Sequence, residues 1–251
     1  MKIAIVTGAS SGMGWESVLQ IAERFPKLEE IWVVARRRER LEELQEKVSV
    51  PLRIFPLDLG TERALDVLKE ALKGERPEVK ILVNAAGYGK MGAVGFNPLL
   101  EETGMVRLNC EALCAVTHIV LPFMTENSRI LQFASSAGFL PQPDFAIYAA
   151  SKSFVLSFSR ALHAELRSRK IAVTAVCPGP VNTEFFEVAE TGRKAPCYKK
   201  LFMADPKKVV KKALRDSMMG KTVSIYSLPM QAFALLCKVL PHDLILRLYR
   251  P

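Results

Sequence analysis

Short apolar runs alternate along this chain with stretches whose apolar residues recur every three or four positions. Residues 2–7, 31–35, 52–57, 79–84, 129–134 and 171–177 are apolar runs of strand length. Between them, 15–25, 38–48, 62–73, 104–124 and 146–169 carry the helical period, the second of these heavily charged. Strand and helix in turn predict an α/β protein: a parallel sheet with helices on both faces. No internal repeat, low-complexity tract or linker divides the chain, so residues 1–251 are expected to form one domain.

Composition narrows the class. A chain of 251 residues with 49% apolar and 24% charged residues has the length and balance for a sizeable core. No run of about twenty apolar residues is evident, so no spanning helix is expected. The N-terminus enters an apolar run too short for a signal peptide, which predicts a cytoplasmic protein. The five cysteines show no Cys-x-x-Cys and read as reduced thiols. Cys110 and Cys114 share a helical face but lack a clustered histidine, so no metal site is expected. His118, His163 and His242 fall where packing or solvent accounts for them. The net charge of +9 is uneven: from Arg193 onward there are 13 Lys+Arg against 3 Asp. The basic character therefore belongs to the C-terminal fifth, which carries no nucleic-acid-binding module, and no nucleic-acid partner is expected.

The chemistry-bearing residues stand at the predicted strand ends. The first strand runs into Gly8-Ala9-Ser10-Ser11-Gly12-Met13-Gly14 and then a helix. Glycines there tighten the turn and let backbone N–H groups approach a pyrophosphate, at the positive end of the helix. The second strand ends at Ala35, where an NAD-binding chain carries a carboxylate for the ribose hydroxyls. Arg36-Arg37-Arg38 follow instead, and guanidinium groups suit a 2′-phosphate. Arg36 is assigned to that phosphate, making the expected cofactor NADP(H), and Arg37 and Arg38 to the solvated opening of a helix. Asp58-Leu59 follow the third strand, where the carboxylate is placed to accept from an adenine amino group. Asn84-Ala85-Ala86-Gly87 follow the fourth, small enough to let a cofactor lie against the sheet edge.

Ser135 follows the fifth strand, and thirteen residues later Tyr148 and Lys152 lie four apart on one helix face. A phenol is a poor acid–base catalyst near neutral pH, its pKa being about 10. A nearby ammonium favours the phenolate, and a serine hydroxyl can hold a substrate carbonyl while the phenol moves a proton. Asn109, in the middle of the predicted helix 104–124, is a polar residue in an apolar setting that wants a partner. Pro178-Gly179, Val181 and Thr183 form a fixed loop after the sixth strand.

In register and order from residue 1 to about 184, these pieces resemble the short-chain dehydrogenase/reductase family. The resemblance implies a Rossmann-type, doubly wound parallel sheet of about seven strands in three αβα layers, the last strand near 222–225. It implies a nicotinamide cofactor and a carbonyl or secondary-alcohol substrate. By position, Tyr148 would be the acid–base, Lys152 would hold the nicotinamide ribose and lower the tyrosine pKa, and Ser135 would orient the carbonyl. Asn109 would keep a water linked to Lys152. Gly8, Ser10, Ser11, Gly12, Met13 and Gly14 would line the phosphates, and Val181 and Thr183 would meet the carboxamide. A homodimer or homotetramer is expected. A non-catalytic NADP-binding regulatory protein is the alternative from another class, and the intact Ser135, Tyr148 and Lys152 speak against it.

Beyond residue 184 the resemblance fades. Residues 184–204 are expected to act as a substrate lid through Phe185, Phe186, Tyr198, Leu201, Phe202 and Met203, with Met91, Phe139 and Phe145 lining the same pocket. Residues 228–251 form an apolar, basic extension, expected as two short helices broken by Pro241. It can close the pocket, meet a second subunit, or rest on an anionic membrane as in a reductase of lipid-like substrates, the contact running through 228–250.

Overall fold

The computed structural model describes residues 1–190 and 203–247. Seven parallel strands form one sheet in the order β3-β2-β1-β4-β5-β6-β7. They are β1 (Lys2–Thr7), β2 (Glu30–Ala35), β3 (Leu52–Pro56), β4 (Glu78–Asn84), β5 (Met124–Phe133), β6 (Ala172–Val176) and β7 (Val223–Ser224). The helices of the first half are α1 (Gly12–Arg24), α2 (Arg38–Gln45) and α3 (Glu62–Glu75). Those of the second half are α4 (Leu99–Val106), α5 (Leu113–Val120), α6 (Ala146–Glu165), α7 (Phe185–Ala189), α8 (Pro206–Met218), α9 (Leu228–Val239) and α10 (His242–Arg247). The doubly wound arrangement expected from the alternation is present, with its order reversing direction at β1 and β4.

Strand alternation sorts the core into two layers. Ala4 and Val6 point to one face and pack with Val18, Ile21, Leu41 and Leu44 of α1 and α2 and with Val210 and Leu214 of α8. Ile3 and Ile5 point to the other and pack with Leu68, Leu72, Val116, Val120 and Leu162 of α3, α5 and α6. Each such fully buried aliphatic contributes roughly 1.5–3 kcal/mol by leaving water, so the two layers hold the sheet from both sides. β7 is only two residues long, and a polar contact supports it. Asp216 of α8 is buried and accepts from Ser224 at 2.7 Å, from Lys221 at 3.0 Å and from Lys212. Burial alone raises its carboxyl, but the hydrogen bonds from Lys212, Ser224 and Lys221 outweigh it and hold it below the usual carboxylate range.

Two expectations change. The helix expected over 104–124 begins at Leu99 and is interrupted by a π-helical stretch, Arg107–Ala112, before α5. Nothing in its composition breaks a helix, so the widening is a tertiary effect, and it falls at Asn109. The whole run Leu99–Phe123 is also long and apolar enough to cross a membrane by length and composition, contrary to the expectation. Part of this apolar surface is core: Ala112, Val116 and Val120 are buried against β-strand side chains, while Leu99, Leu100 and Val106 are exposed.

Candidate active site

The glycine-rich turn after β1 passes over itself at close quarters. Gly8 has φ +67°, and a Cβ at Gly14 would stand 2.1 Å from the Gly8 carbonyl oxygen. No side chain fits there, so the turn into α1 keeps its backbone N–H groups uncovered. This turn borders a cleft of about 570 Å³ at the carboxyl ends of β1, β2 and β4, where a doubly wound sheet binds its ligand. Of the residues expected to bind a cofactor, Gly8, Ser10, Ser11, Gly12, Met13, Gly14, Arg36, Asp58, Leu59, Ala85, Ala86, Gly87 and Thr183 line it.

Asn84 does not. Its side chain is buried and turned into the sheet, donating to Thr117 Oγ1 at 3.0 Å and Gln132 Oε1 at 2.9 Å. It ties β4 to β5 and α5 beneath the cleft rather than facing a cofactor. Arg37 also departs from its expected place. It stands at the extended N-cap of α2 (φ −86°), which turns its side chain back over the glycine loop. It donates to Ser10 Oγ and Ser10 O, each at 3.3 Å, and to Glu184 Oε2 at 2.9 Å. Arg36 is exposed in the cleft, and Arg38 pairs with Glu42 at 3.7 Å on the solvent side of α2. Sequence reasoning missed Arg37 because its role depends on a backbone angle.

A second cavity, of about 350 Å³, adjoins the cleft and shares Met13, Thr183 and Phe185 with it. Tyr148 and Ser135 stand together in its wall, with Pro178, Gly179 and Val181 beside them. The strand β5 delivers Ser135, whose Oγ accepts from Ala137 N at 3.1 Å and starts the 3₁₀ turn Ser136–Phe139. The first turns of α6 deliver Tyr148 and Lys152. Tyr148 is buried between Phe145, stacked at 4.3 Å between ring centroids, and Phe185, tilted at 5.4 Å. Burial pushes its phenol up to about 12, with the Ser135 side chain acting the other way. Lys152 is also buried; its Nζ donates to Phe133 O at 2.8 Å and lies 5.6 Å from the Tyr148 ring centroid. Burial pulls its ammonium down to about 8, against an opposing influence of Cys110 and Cys177.

Asn109 sits in the π-helical stretch, fully buried. Its amide donates to Tyr88 O at 2.9 Å and Ser151 Oγ at 3.0 Å, and its Oδ1 accepts from Tyr88 N at 3.0 Å. It thus braces α6 against the segment that follows β4. Gly87 lies between this amide and the lysine: a Cβ there would be 2.7 Å from Asn109 Oδ1 and 3.5 Å from Lys152 Nζ.

Of the residues expected to line the substrate pocket, Phe145, Phe185 and Phe186 do. Met91 packs in the cluster behind Tyr148, and Phe139 lies tilted against Phe233 at 6.5 Å between ring centroids; neither is in the wall. Met203 is absent from the wall too, and Tyr198, Leu201 and Phe202 lie outside the described residues. Met230 and Phe233 of α9 complete the wall, while Leu228, Leu235, Leu236 and Val239 on the same helix are exposed. The two short C-terminal helices are therefore present as expected, one of them closing the pocket. Among the described residues, no group of three His, Cys, Asp or Glu is placed to hold a metal.

A doubly wound sheet with this glycine turn and a Ser/Tyr/Lys cluster at the cleft marks a dehydrogenase. A family model described as short chain dehydrogenase matches residues 2–194, and the chain belongs to that family of oxidoreductases. Among its relatives is the very-long-chain 3-oxoacyl-CoA reductase of Anas platyrhynchos, 34% identical over 204 residues, covering 77% of this chain and 64% of that protein. The chain thus spans under two thirds of the length of this relative. Sulfoacetaldehyde reductase 2 of Chromohalobacter salexigens is 34% identical over 203 residues, 77% of this chain and 78% of that protein. Among solved structures, a short-chain dehydrogenase from Sphingobium yanoikuyae in complex with NADPH has a TM-score of 0.80 at 26% identity, covering 100% of this chain and 97% of the other. A serine dehydrogenase complexed with NADP+ has a TM-score of 0.77 at 27% identity, covering 88% and 93%. A Burkholderia phymatum protein in complex with NAD, at 20% identity and a TM-score of 0.81 over 100% and 96%, shares the fold.

Proposed function

We propose that this protein is an NADP(H)-dependent oxidoreductase acting on the carbonyl or secondary alcohol of a substrate with an apolar body. The observation that carries the reading is buried Tyr148 standing beside half-buried Ser135 in the wall of an apolar cavity that adjoins the glycine-lined cleft. The cleft fits a dinucleotide: Gly8, Gly14 and Gly87 let the segments beneath it pack where a Cβ would collide with the chain's own atoms, and Arg36 and Arg37 supply guanidinium groups where a ribose-binding carboxylate would otherwise stand. NADP(H), when bound, supplies or accepts the hydride.

The chain's own groups manage the proton. In the reducing direction the Ser135 hydroxyl and the Tyr148 phenol donate to the carbonyl oxygen and polarise it. With its pKa raised to about 12, the reverse of the lowering expected from Lys152, the phenol is protonated at pH 7 but is a weaker acid than a free phenol, so its proton transfer depends on stabilising the phenolate that it leaves. Tyr148 gives its proton to that oxygen, and the phenolate left behind is stabilised by the Lys152 ammonium four residues on. Lys152 is held for this by its bond to Phe133 O. Asn109 acts at one remove, fixing the start of α6 through Ser151.

The described cavity wall contains no Lys, Arg, His, Asp or Glu, and Phe145, Phe185, Phe186, Met230 and Phe233 give it an apolar surface. Such a wall disfavours a sulfonate or an amino acid and favours a ketone or 3-oxoacyl thioester with an aliphatic or aromatic body. The test is oxidation of NADPH followed at the nicotinamide absorbance with a panel of apolar ketones, a 3-oxoacyl thioester, sulfoacetaldehyde and serine. Turnover restricted to the apolar carbonyls supports the reading; turnover confined to the charged small substrates, or none with NADPH bound, overturns it.

A further inference from the structure

At the opposite end of the sheet from the cleft, the pairing of β4 with β5 falls out of step. Val79 opposes Met124 and Ile81 opposes Arg129, so Lys80 alone on β4 faces residues 125–128 on β5. β1 skips the same residue, Ile3 opposing Val79 and Ala4 opposing Ile81. Asn127 turns the extra chain with φ +62°. Irregularities of this kind bend a strand and re-aim its side chains. Here they border a cavity of about 340 Å³ roughly 20 Å, a six-residue strand length, from the glycine turn.

Its wall carries five cations, Lys2, Arg24, Lys27, Lys80 and Arg129, and neither Asp nor Glu. Phe25, Leu28 and Ile81 give it an apolar floor. Lys80 is neutralised by Glu78 at 2.9 Å. Arg24 and Lys27 follow the usual preference for cations at a helix C-terminus, being at the end of α1. Arg129 is accounted for by neither. It is half-buried with its guanidinium 5.3 Å from the Phe25 ring, and it reaches only Asn127 O, at 3.4 Å. Among the described residues its buried Nε has no hydrogen-bond partner and no carboxylate pairs with it. A guanidinium drawn out of water without a counter-ion is costly, and an anion relieves that cost with charge-assisted bonds.

We propose that this cavity is a second ligand site, for an organic phosphate whose head meets Arg129, Lys2 and Lys27 and whose apolar body lies on Phe25, Leu28 and Ile81. Among the described residues Arg24, Lys27 and Arg129 have no carboxylate partner, while Lys2 acts on Glu78 and donates its backbone N–H to Glu29; the remaining surplus of positive charge suits a phosphate dianion better than a singly charged carboxylate. The site is separate from the cleft and independent of the function proposed above.

The test is calorimetric titration with phenyl phosphate, inorganic phosphate and benzoate, on the full chain saturated with NADP+ and again on the Arg36→Ala protein, so that the cleft's own arginines do not answer for the site. The expected result is one saturable site for phenyl phosphate in both, at least tenfold tighter than for inorganic phosphate or benzoate. Arg129→Gln is expected to weaken it tenfold or more, on the scale of a lost charge-assisted hydrogen bond. Lys27→Glu, on the exposed loop, is expected to do the same without touching the half-buried Arg129, and it stands in should Arg129→Gln fail to fold. The inference is overturned by no saturable binding of phenyl phosphate, by binding that survives Lys27→Glu unchanged, or by binding lost on adding NADP+.

Discussion

Lys152→Met is expected to make the unliganded protein more stable near neutral pH, and less so as pH rises. The folded environment lowers the ammonium from 10.5 to about 8 by burial. Between about pH 8 and 10.5 the unfolded chain therefore holds a proton on this amine that the folded protein has released, and stability rises with pH across that window. A shift of about 2.5 pKa units corresponds to about 3 kcal/mol of destabilisation carried by the wild-type lysine at pH 7, and about 1.4 kcal/mol at pH 9.5. Methionine keeps the apolar stem and removes the charge. It also leaves Phe133 O without its donor, at a cost of about 1–3 kcal/mol that is nearly constant with pH. The difference between the two pH values isolates the lysine: the mutant's stability relative to wild type should be about 2 kcal/mol more favourable at pH 7 than at pH 9.5. The phenol of Tyr148, raised to about 12, works in the other sense but only above pH 10, outside the range used. The assay is urea unfolding of both proteins at the two pH values without cofactor. At roughly 2–4 °C per kcal/mol, thermal melts should move by about 4–8 °C in parallel. A mutant effect that is equal at pH 7 and 9.5 would show that the amine is not depressed in the folded state and refute the reasoning.

Tyr148→Phe should lower turnover by about 10²–10⁴-fold, the usual worth of a positioned proton donor, with NADPH affinity by fluorescence titration nearly unchanged. Arg36→Ala and Arg37→Ala should each weaken NADPH by about tenfold or more while leaving NADH within twofold, equal losses for both cofactors contradicting the phosphate assignment. Gly14→Ala drives a Cβ against the Gly8 carbonyl and should cost several kcal/mol, about 3 or more, in denaturant unfolding, together with cofactor binding. Truncation after Ser227 removes Met230 and Phe233 from the cavity wall and should raise KM for an apolar ketone more than it lowers kcat. If the truncated protein also loses its co-sedimentation with anionic vesicles at low salt, the exposed Leu228, Leu235 and Val239 are a lipid contact as well; equal behaviour of the two proteins limits them to packing.

Most of the cleft was legible because a parallel sheet exposes its ligand at strand ends, where small residues interrupt apolar runs. Gly8 to Gly14, Ala85 to Gly87 and Asp58-Leu59 all follow that rule. Asn84 misled because strand alternation was not carried to its last residue: one position earlier than the exposed turn, its side chain still belongs to the sheet. Arg37 was hidden because three arginines in a row look alike until the backbone angle at the helix start is known. The π-helical stretch at Asn109 leaves no mark in composition, since the extra turn residue is accommodated by contacts with Tyr88 and Ser151 from distant segments. The role of the C-terminal extension in closing the pocket was among the expected ones, but Met230 and Phe233 could not be singled out, since only the folded protein shows which face of that helix meets the cavity. The cavity beside Arg129 depends on a slip in strand register at Lys80, and apolar periodicity alone does not report register.

The two cavities share part of their wall. Thr183 and Phe185 border both, and Glu184 between them is held by Arg37, the residue that also grips the glycine loop. A phosphate in the cleft that draws Arg37 to itself would free Glu184, which stands between the two shared residues. The expected consequence is that cofactor enters first and leaves last. Product inhibition checks it: oxidised cofactor should compete with reduced cofactor alone, and the second product should inhibit noncompetitively against the reduced cofactor, whereas competition by that product would refute the coupling.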